Sequence, residues 1–245
     1  MLYSHVLITR PGPQAADLAD AVSRMGMVPL QARVFQFLPG FPGLDFNLAW
    51  KRGDRQLAIF SSTRAVEFGL RHLPAGFLED TEIAAIGPAT ADALEAAGYT
   101  VSIIPENGYN SEALLGHPAL CENAGTAIIF AAPGGRQALF EGLQELGWHV
   151  SFAHVYRAVP LEAGEDIERA IAESSSLLSV WTSANALKQL FSSLGETARD
   201  KVSQGDFLVT SERLAEIAGD YSHARVYVTD GPGNEAIERR ILQLI

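Results

Sequence analysis

Leu57-Ala-Ile-Phe-Ser-Ser-Thr-Arg-Ala-Val-Glu-Phe-Gly-Leu-Arg-His72 begins with four apolar residues, turns through three hydroxyls and continues with apolar residues at helical spacing. It reads as a buried strand, a turn and an amphipathic helix. The same unit recurs along the chain. Val6-Leu-Ile-Thr-Arg10 leads into a helical pattern over 15–25, and Ile83-Ala-Ala-Ile86 passes through Gly87-Pro88 into 89–97. Ala127-Ile-Ile-Phe130 passes through Pro133-Gly-Gly135 into 137–146. Leu177-Leu-Ser-Val-Trp181 and Phe207-Leu-Val209 feed 184–194 and 213–218 through Thr182-Ser183 and Thr210-Ser211. Strands that alternate with helices specify α/β architecture with parallel, doubly wound sheets. Gly26, Gly98, Gly147, Gly195 and Gly219 fall where helices are expected to end in a left-handed cap.

Phe60-Ser-Ser-Thr-Arg-Ala-Val66 and Trp181-Thr-Ser-Ala-Asn-Ala-Leu187 align residue for residue, which fits either two similar halves or a chance likeness between repeated units. Two segments break the pattern. Pro29-Leu-Gln-Ala-Arg-Val-Phe-Gln-Phe37 and His149-Val-Ser-Phe-Ala-His-Val-Tyr-Arg157 alternate like strands, and the Pro/Gly-rich stretches Pro39–Gly43 and Pro160–Gly164 follow them. They read as crossings between domains. The expected organisation is a discontinuous α/β domain from residues 1–36 and 159–245, with a second α/β domain, 37–158, inserted in it.

Hydrophobic residues make up 47% of the 245 and charged residues 19%, a composition that excludes disorder as the main state. The formal net charge of −11 repels phosphate backbones, so nucleic acid is a poor partner. Cys121 is the single cysteine, which rules out an internal disulfide and fits a cytoplasmic location. The first residues reach Arg10 and Pro11 before a signal-peptide core can form, and no apolar run approaches a membrane span.

In doubly wound sheets, ligands sit beyond the carboxyl ends of the strands. The residues there are Thr9-Arg10, Ser61-Ser62-Thr63, Gly87-Pro88-Ala89-Thr90, Pro133-Gly134-Gly135-Arg136, Thr182-Ser183 and Thr210-Ser211. They supply hydroxyls, exposed backbone N–H groups and helix N-termini, which suit an anion. The same serines and threonines would also serve simply as helix N-caps. No P-loop, dinucleotide fingerprint or G-x-S-x-G elbow occurs. The six histidines show no metal-binding spacing, so no metal and no cofactor is expected. The residues alone specify a two-domain α/β protein that binds an anionic small molecule.

Six motifs in order carry a resemblance: Leu7-Ile-Thr-Arg-Pro11, Phe60-Ser-Ser-Thr-Arg-Ala-Val66, Ala85-Ile-Gly-Pro-Ala-Thr-Ala91 with Gly98, Ser111-Glu-Ala-Leu-Leu115, Val155-Tyr-Arg157 and Trp181-Thr-Ser183. Together the chain resembles the uroporphyrinogen-III synthase family. The resemblance implies two flavodoxin-like parallel-sheet domains joined by two crossing strands, the first domain discontinuous. It implies a hydro-lyase of haem and related tetrapyrrole synthesis that cyclises hydroxymethylbilane with inversion of ring D and loss of water. Departure of the hydroxyl would leave an azafulvene cation, which closes through a spiro intermediate. Because the substrate supplies its own electron push, the protein's task would be orientation in an interdomain cleft.

By position, the resemblance assigns substrate binding to Ser62, Arg64, Thr90 and Ser183. It leaves Tyr156 as the side chain able to protonate the departing hydroxyl, or else as an aromatic packed on the crossing strands. Gly87 and Arg10 join the binding set from their strand ends, and Arg136 and Arg213 are expected to add positive charge for a substrate carrying eight carboxylates. Many family members carry a Gly-x-x-Thr-Ala turn near the C-terminal end. This chain has Val209-Thr-Ser-Glu-Arg213, and Ser211 is expected to stand in for the threonine. The protein is expected to be a cytoplasmic monomer that receives its substrate from the preceding enzyme of the pathway. A non-catalytic binding protein for a small carboxylated ligand would share this plan, and so would a nucleotide-sugar enzyme on paired α/β domains.

Overall fold

The computed structural model describes every residue except Met1, Pro42, Leu44, 47–49, 51–53 and Asn107; Pro42, part of the expected Pro/Gly-rich stretch, therefore lies outside the described residues. The chain begins with β1 (His5–Ile8), α1 (Pro13–Arg24) and β2 (Val28–Gln31), and leaves along β3 (Phe35–Pro39). It continues through β4 (Gln56–Phe60), α2 (Thr63–Gly69), β5 (Glu82–Ala85), α3 (Pro88–Ala96), α4 (Ser111–Leu115) and α5 (Pro118–Cys121). Next come β6 (Thr126–Ala131), α6 (Gln137–Glu145) and β7 (His149–His154), and the chain returns along β8 (Tyr156–Pro160). It ends with α7 (Glu165–Glu173), β9 (Leu177–Trp181), α8 (Ala184–Ser193), α9 (Glu196–Gln204), β10 (Asp206–Val209), α10 (Glu212–Gly219), β11 (Val226–Val228) and α11 (Asn234–Leu244). Two compact units result: Met1–Gln36 with Val159–Ile245, and Phe37–Ala158.

The discontinuous unit holds a five-stranded sheet in the order β2-β1-β9-β10-β11. All of its pairings are parallel. Renumbered along the unit this is 2-1-3-4-5, the flavodoxin-like order, and its switch point lies between β1 and β9. The continuous unit holds β5-β4-β6-β7, also parallel throughout, and Ile103 forms a parallel bridge with Ala84. Its order reverses between β4 and β6. The crossing segments β3 and β8 pair as a two-stranded ribbon.

Parallel strands covered on both faces need apolar residues at nearly every position. The β6 strand, Thr-Ala-Ile-Ile-Phe-Ala, and the β9 strand, Leu-Leu-Ser-Val-Trp, are buried along their whole length. Side-chain alternation then sorts each strand between two cores. Val6, Ile8, Leu178, Val180 and Leu208 pack with Leu18, Val22, Ile237 and Ile241, whereas Leu7, Trp181, Phe207 and Val209 pack with Ile171, Leu187 and Leu190. In the continuous unit Ala58, Phe60, Ile128 and Phe130 join Val66 and Leu94, and Leu57, Ile59, Ala127 and Ile129 join Leu114, Leu139 and Leu143. Each fully buried aliphatic or phenyl side chain contributes about 1.5–3 kcal/mol. Phe60 and Phe130 stack at 4.5 Å, and Gly69 lets α2 rest on them, since a Cβ there would lie 3.3 Å from both rings.

Most buried polar side-chain atoms among the described residues are paired, Asn234 Oδ1 and Arg240 Nε being exceptions. The Trp181 indole N–H donates to Ser179 Oγ at 2.9 Å within the core. Arg55 grips Glu82 through two bonds of 2.6 Å, donates to the carbonyls of Ala119 and Glu122, and lies 5.1 Å over Trp148. That hydrogen-bonded guanidinium holds the Glu82 carboxyl below its ordinary range, and the carboxylate raises Arg55 in turn.

The structure corrects two sequence readings. Each crossing segment is two strands rather than one. Pro29–Phe37 divides between β2, the edge of the five-stranded sheet, and β3; His149–Arg157 divides between β7 and β8. The second break falls at Val155, whose N–H donates to Ala131 O at 3.1 Å and to Ala153 O at 3.0 Å. Read as single runs, the two segments hide the change of sheet, although each has an adjacent apolar pair, Val34-Phe35 and Phe152-Ala153, that breaks the alternation. Gly26, Gly98 and Gly147 do adopt the left-handed conformation, with φ of 82°, 88° and 91°. Gly195 instead N-caps α9 with φ −62°, and Gly219 is the last helical residue of α10.

Candidate functional site

At the carboxyl end of β4, Ser62 takes an extended backbone and N-caps α2, its Oγ accepting from the Ala65 N–H at 3.2 Å. The same oxygen lies 3.3 Å from the Tyr156 hydroxyl. Tyr156 opens β8 and is half-buried, with its ring 5.8 Å from Phe68 and 6.1 Å from Phe37. The Arg64 guanidinium lies 3.6 Å over the Phe37 ring. On β6, the other strand of the switch point, the loop leads to Arg136, held left-handed at φ 64°, whose Nη2 donates to Ser61 O at 3.4 Å. Ser62, Arg64, Arg136 and Tyr156 therefore meet at one strand end.

The neighbouring β5 ends at a second helix N-terminus. Gly87 is buried and precedes Pro88, the first residue of α3, and Thr90, 6% exposed, donates its N–H to Gly87 O at 3.0 Å. Tyr109 covers this turn: a Cβ on Gly87 would lie 3.1 Å from Tyr109 Cβ, while the tyrosine itself is 60% exposed.

In the discontinuous unit the expected residues occupy the ends of three adjacent strands. Arg10 follows β1, donating to Pro232 O at 3.0 Å and Gln14 Oε1 at 2.7 Å. Both partners are neutral, and burial pushes the guanidinium pKa down, although it stays protonated at neutral pH. Asn234 donates to Gln14 O at 2.9 Å and joins this group. Ser183 follows β9 and N-caps α8 through the Ala186 N–H at 3.4 Å; Ser211 follows β10 and N-caps α10 through the Leu214 N–H at 3.3 Å. Both serines are exposed, as is Arg213 on the first turn of α10. The Thr9 hydroxyl ties β1 to β9 by donating to Val180 O at 3.0 Å.

The serines thus act as helix caps, and each cap oxygen faces the strand-end surface where backbone N–H groups and the helix dipole favour an anion. Phe37, Phe68, Gln14 and Tyr109 were not among the expected residues. An aromatic in a strand or helix reads as core, and only the fold brings Phe37 and Phe68 to Tyr156. Among the described residues no group of three His, Cys, Asp or Glu is arranged to hold a metal ion, and no helix is long and apolar enough to cross a membrane.

Two parallel-sheet units, one of them discontinuous and joined to the other by paired crossing strands, define a two-unit flavodoxin-like α/β protein. Residues 16–238 match the family model described as uroporphyrinogen-III synthase HemD. The chain is 30% identical to the uroporphyrinogen-III synthase of Escherichia coli (strain K12), covering 96% of this chain and 99% of that relative. It is 31% identical to the synthase of Salmonella typhimurium over the same shares. Among solved structures, it is similar to uroporphyrinogen-III synthetase from Helicobacter pylori, with a TM-score of 0.67 and 15% identity over 98% of this chain and 99% of that one. A mutant synthase from Thermus thermophilus gives a TM-score of 0.60 and 19% identity over the same shares. The chain belongs to the uroporphyrinogen-III synthase family of hydro-lyases.

Proposed function

We propose that this protein cyclises hydroxymethylbilane to uroporphyrinogen III, inverting ring D through a spiro intermediate with loss of water. The observation that carries the reading, beside membership of the family, is the Tyr156 hydroxyl 3.3 Å from Ser62 Oγ at a strand end furnished with Arg64 and Arg136. Tyr156 protonates the departing hydroxyl, and Ser62, the second hydroxyl, orients the phenol. Arg10, Arg64, Ser62, Gly87, Thr90, Ser183 and Ser211 bind the substrate's carboxylates through guanidinium groups, hydroxyls and helix N-terminal amides. Each helix N-terminus adds about 0.3–1 kcal/mol, and the arginines offset the acidic surface locally. The reaction calls for no cofactor, because the pyrrole nitrogen expels the hydroxyl and the protein need only favour inverted closure over direct closure. We read Phe37–Ala158 as the inserted domain, and the chain as a cytoplasmic monomer supplied by the enzyme that makes hydroxymethylbilane.

The test feeds freshly generated hydroxymethylbilane to the purified protein without cofactor or metal, oxidises the products and separates the isomers. Predominant type III isomer supports the proposal. Only the type I isomer of spontaneous closure overturns it and favours a non-catalytic binding protein for a carboxylated ligand.

A further inference from the structure

We propose that the end of β3 positions Tyr156, through Gly40 acting on the backbone and Phe37 acting on the ring; this rests on the reading of Tyr156 as proton donor. Gly40 donates its N–H to Val155 O at 2.8 Å, one residue before the tyrosine. The approach is closer than a side chain permits. A Cβ on Gly40 would collide with His154 O and would lie 2.8 Å from Tyr156 N and 2.9 Å from Val155 C. All of these are backbone atoms, so no rotamer change relieves the contact and β8 itself must shift. The required glycine therefore stands beside the Tyr156 N–H, in a stretch whose sequence reads only as a Pro/Gly-rich connection.

Phe37 works on the other end of the same residue. Its ring contacts Tyr156 at 6.1 Å with an interplanar angle of 55°, and Arg64 lies over it at 3.6 Å. Phe68 contacts the Tyr156 ring at 5.8 Å with an angle of 23°. With Phe37 and Phe68 both against the ring and Gly40 against the backbone, the phenol has its hydroxyl left at Ser62 Oγ. A proton donor displaced by even an ångström loses much of its effect. Gly40 and Phe37 need not touch substrate for this; they act through Tyr156.

The experiment measures kcat, KM, the isomer ratio and thermal melts for Gly40→Ala, Phe37→Leu, Tyr156→Phe and the two double variants that combine Tyr156→Phe with each of the others. The expected result for Gly40→Ala is a loss of about tenfold or more in kcat with KM changed less than about twofold, and a larger share of type I isomer. Phe37→Leu loses kcat in the same sense. Neither change lowers kcat further once Tyr156 is phenylalanine, because effects exerted through one residue do not multiply. A lowered melt is expected of Gly40→Ala in either case; a merely structural role would instead multiply with Tyr156→Phe. If Tyr156→Phe alone keeps full turnover, the proton-donor reading fails and takes the positioning role with it. If Tyr156→Phe is slow while Gly40→Ala and Phe37→Leu keep turnover, or the losses multiply, only the positioning role is overturned. Should Gly40→Ala not melt cooperatively, Phe37→Leu, which leaves the backbone unchanged, decides the question by the same criteria.

Discussion

Replacing Ser62 removes two interactions that differ in kind, and two substitutions separate them. Ser62 Oγ accepts the Ala65 N–H at 3.2 Å, a helix cap, and meets the Tyr156 hydroxyl at 3.3 Å, a contact with the proposed proton donor. Alanine at an N-cap costs about 1 kcal/mol of stability, whereas glycine costs only a few tenths. In a protein of this size 1 kcal/mol corresponds to a melting shift of about 2–4 °C. Ser62→Ala should therefore melt a few degrees below Ser62→Gly, both variants having also lost the contact with Tyr156. The hydroxyl–hydroxyl bond contributes about 0.5–1.5 kcal/mol net, equivalent to about two- to tenfold in turnover. Both variants lack it equally, so both should lose turnover by that factor despite different stabilities. Isomer-resolved turnover and differential scanning calorimetry on the two variants make the comparison. Should Ser62→Gly recover turnover along with stability, the serine is a cap and nothing more, and its role beside Tyr156 is refuted.

Gly98→Ala forces a side chain to φ 88° and should destabilise by about 1–2 kcal/mol, whereas Gly219→Ala, in an open helical position, should stabilise by about 0.4–1 kcal/mol; equal effects in calorimetry would contradict the assigned conformations. Because Arg55 holds Glu82 below its ordinary 4.5, their pair stabilises the fold above that pH, and the contribution disappears as pH falls through the folded-state value. The melting difference between wild type and Glu82→Gln should accordingly shrink as the pH is lowered below about 4, and a constant difference would show that the charge is irrelevant. Ser179→Ala leaves the buried Trp181 N–H without its partner and should cost about 1–3 kcal/mol in urea denaturation, with a value near zero counting against the bond.

The strands were legible because parallel strands covered on both faces must be written as apolar runs: Ile128-Ile-Phe130 and Leu177-Leu178 announce themselves, and Thr182-Ser183 mark the carboxyl end of β9. The crossings were only half legible. Residues 29–37 alternate apolar and polar, but the phase flips at Val34-Phe35, where a strand of another sheet begins after β2 has ended at Gln31; a reading of the run as one strand passes over that flip. Ser62 and Arg64 could be singled out from local chemistry, since a hydroxyl between strand and helix suits both a cap and an anion. The partners that fix Tyr156 could not. Gly40, Phe37 and Phe68 are an ordinary turn glycine and ordinary apolar aromatics until β3 and β8 are laid side by side.

The broken course of the chain also sets an order of assembly. His5 of β1 is in register with Val28 of β2 but also with Leu177 of β9, so the first strand acquires its second neighbour only when the last third of the polypeptide exists. Phe37–Ala158 has all of its sheet partners within one uninterrupted stretch and can complete its core earlier. This pairing predicts that the middle unit folds before the segment that precedes it. Limited proteolysis of nascent chains halted before Leu177 should spare the middle and cut the β1–β2 segment. Val6, Leu7 and Ile8, buried in the folded protein, are apolar residues whose full covering waits for β9.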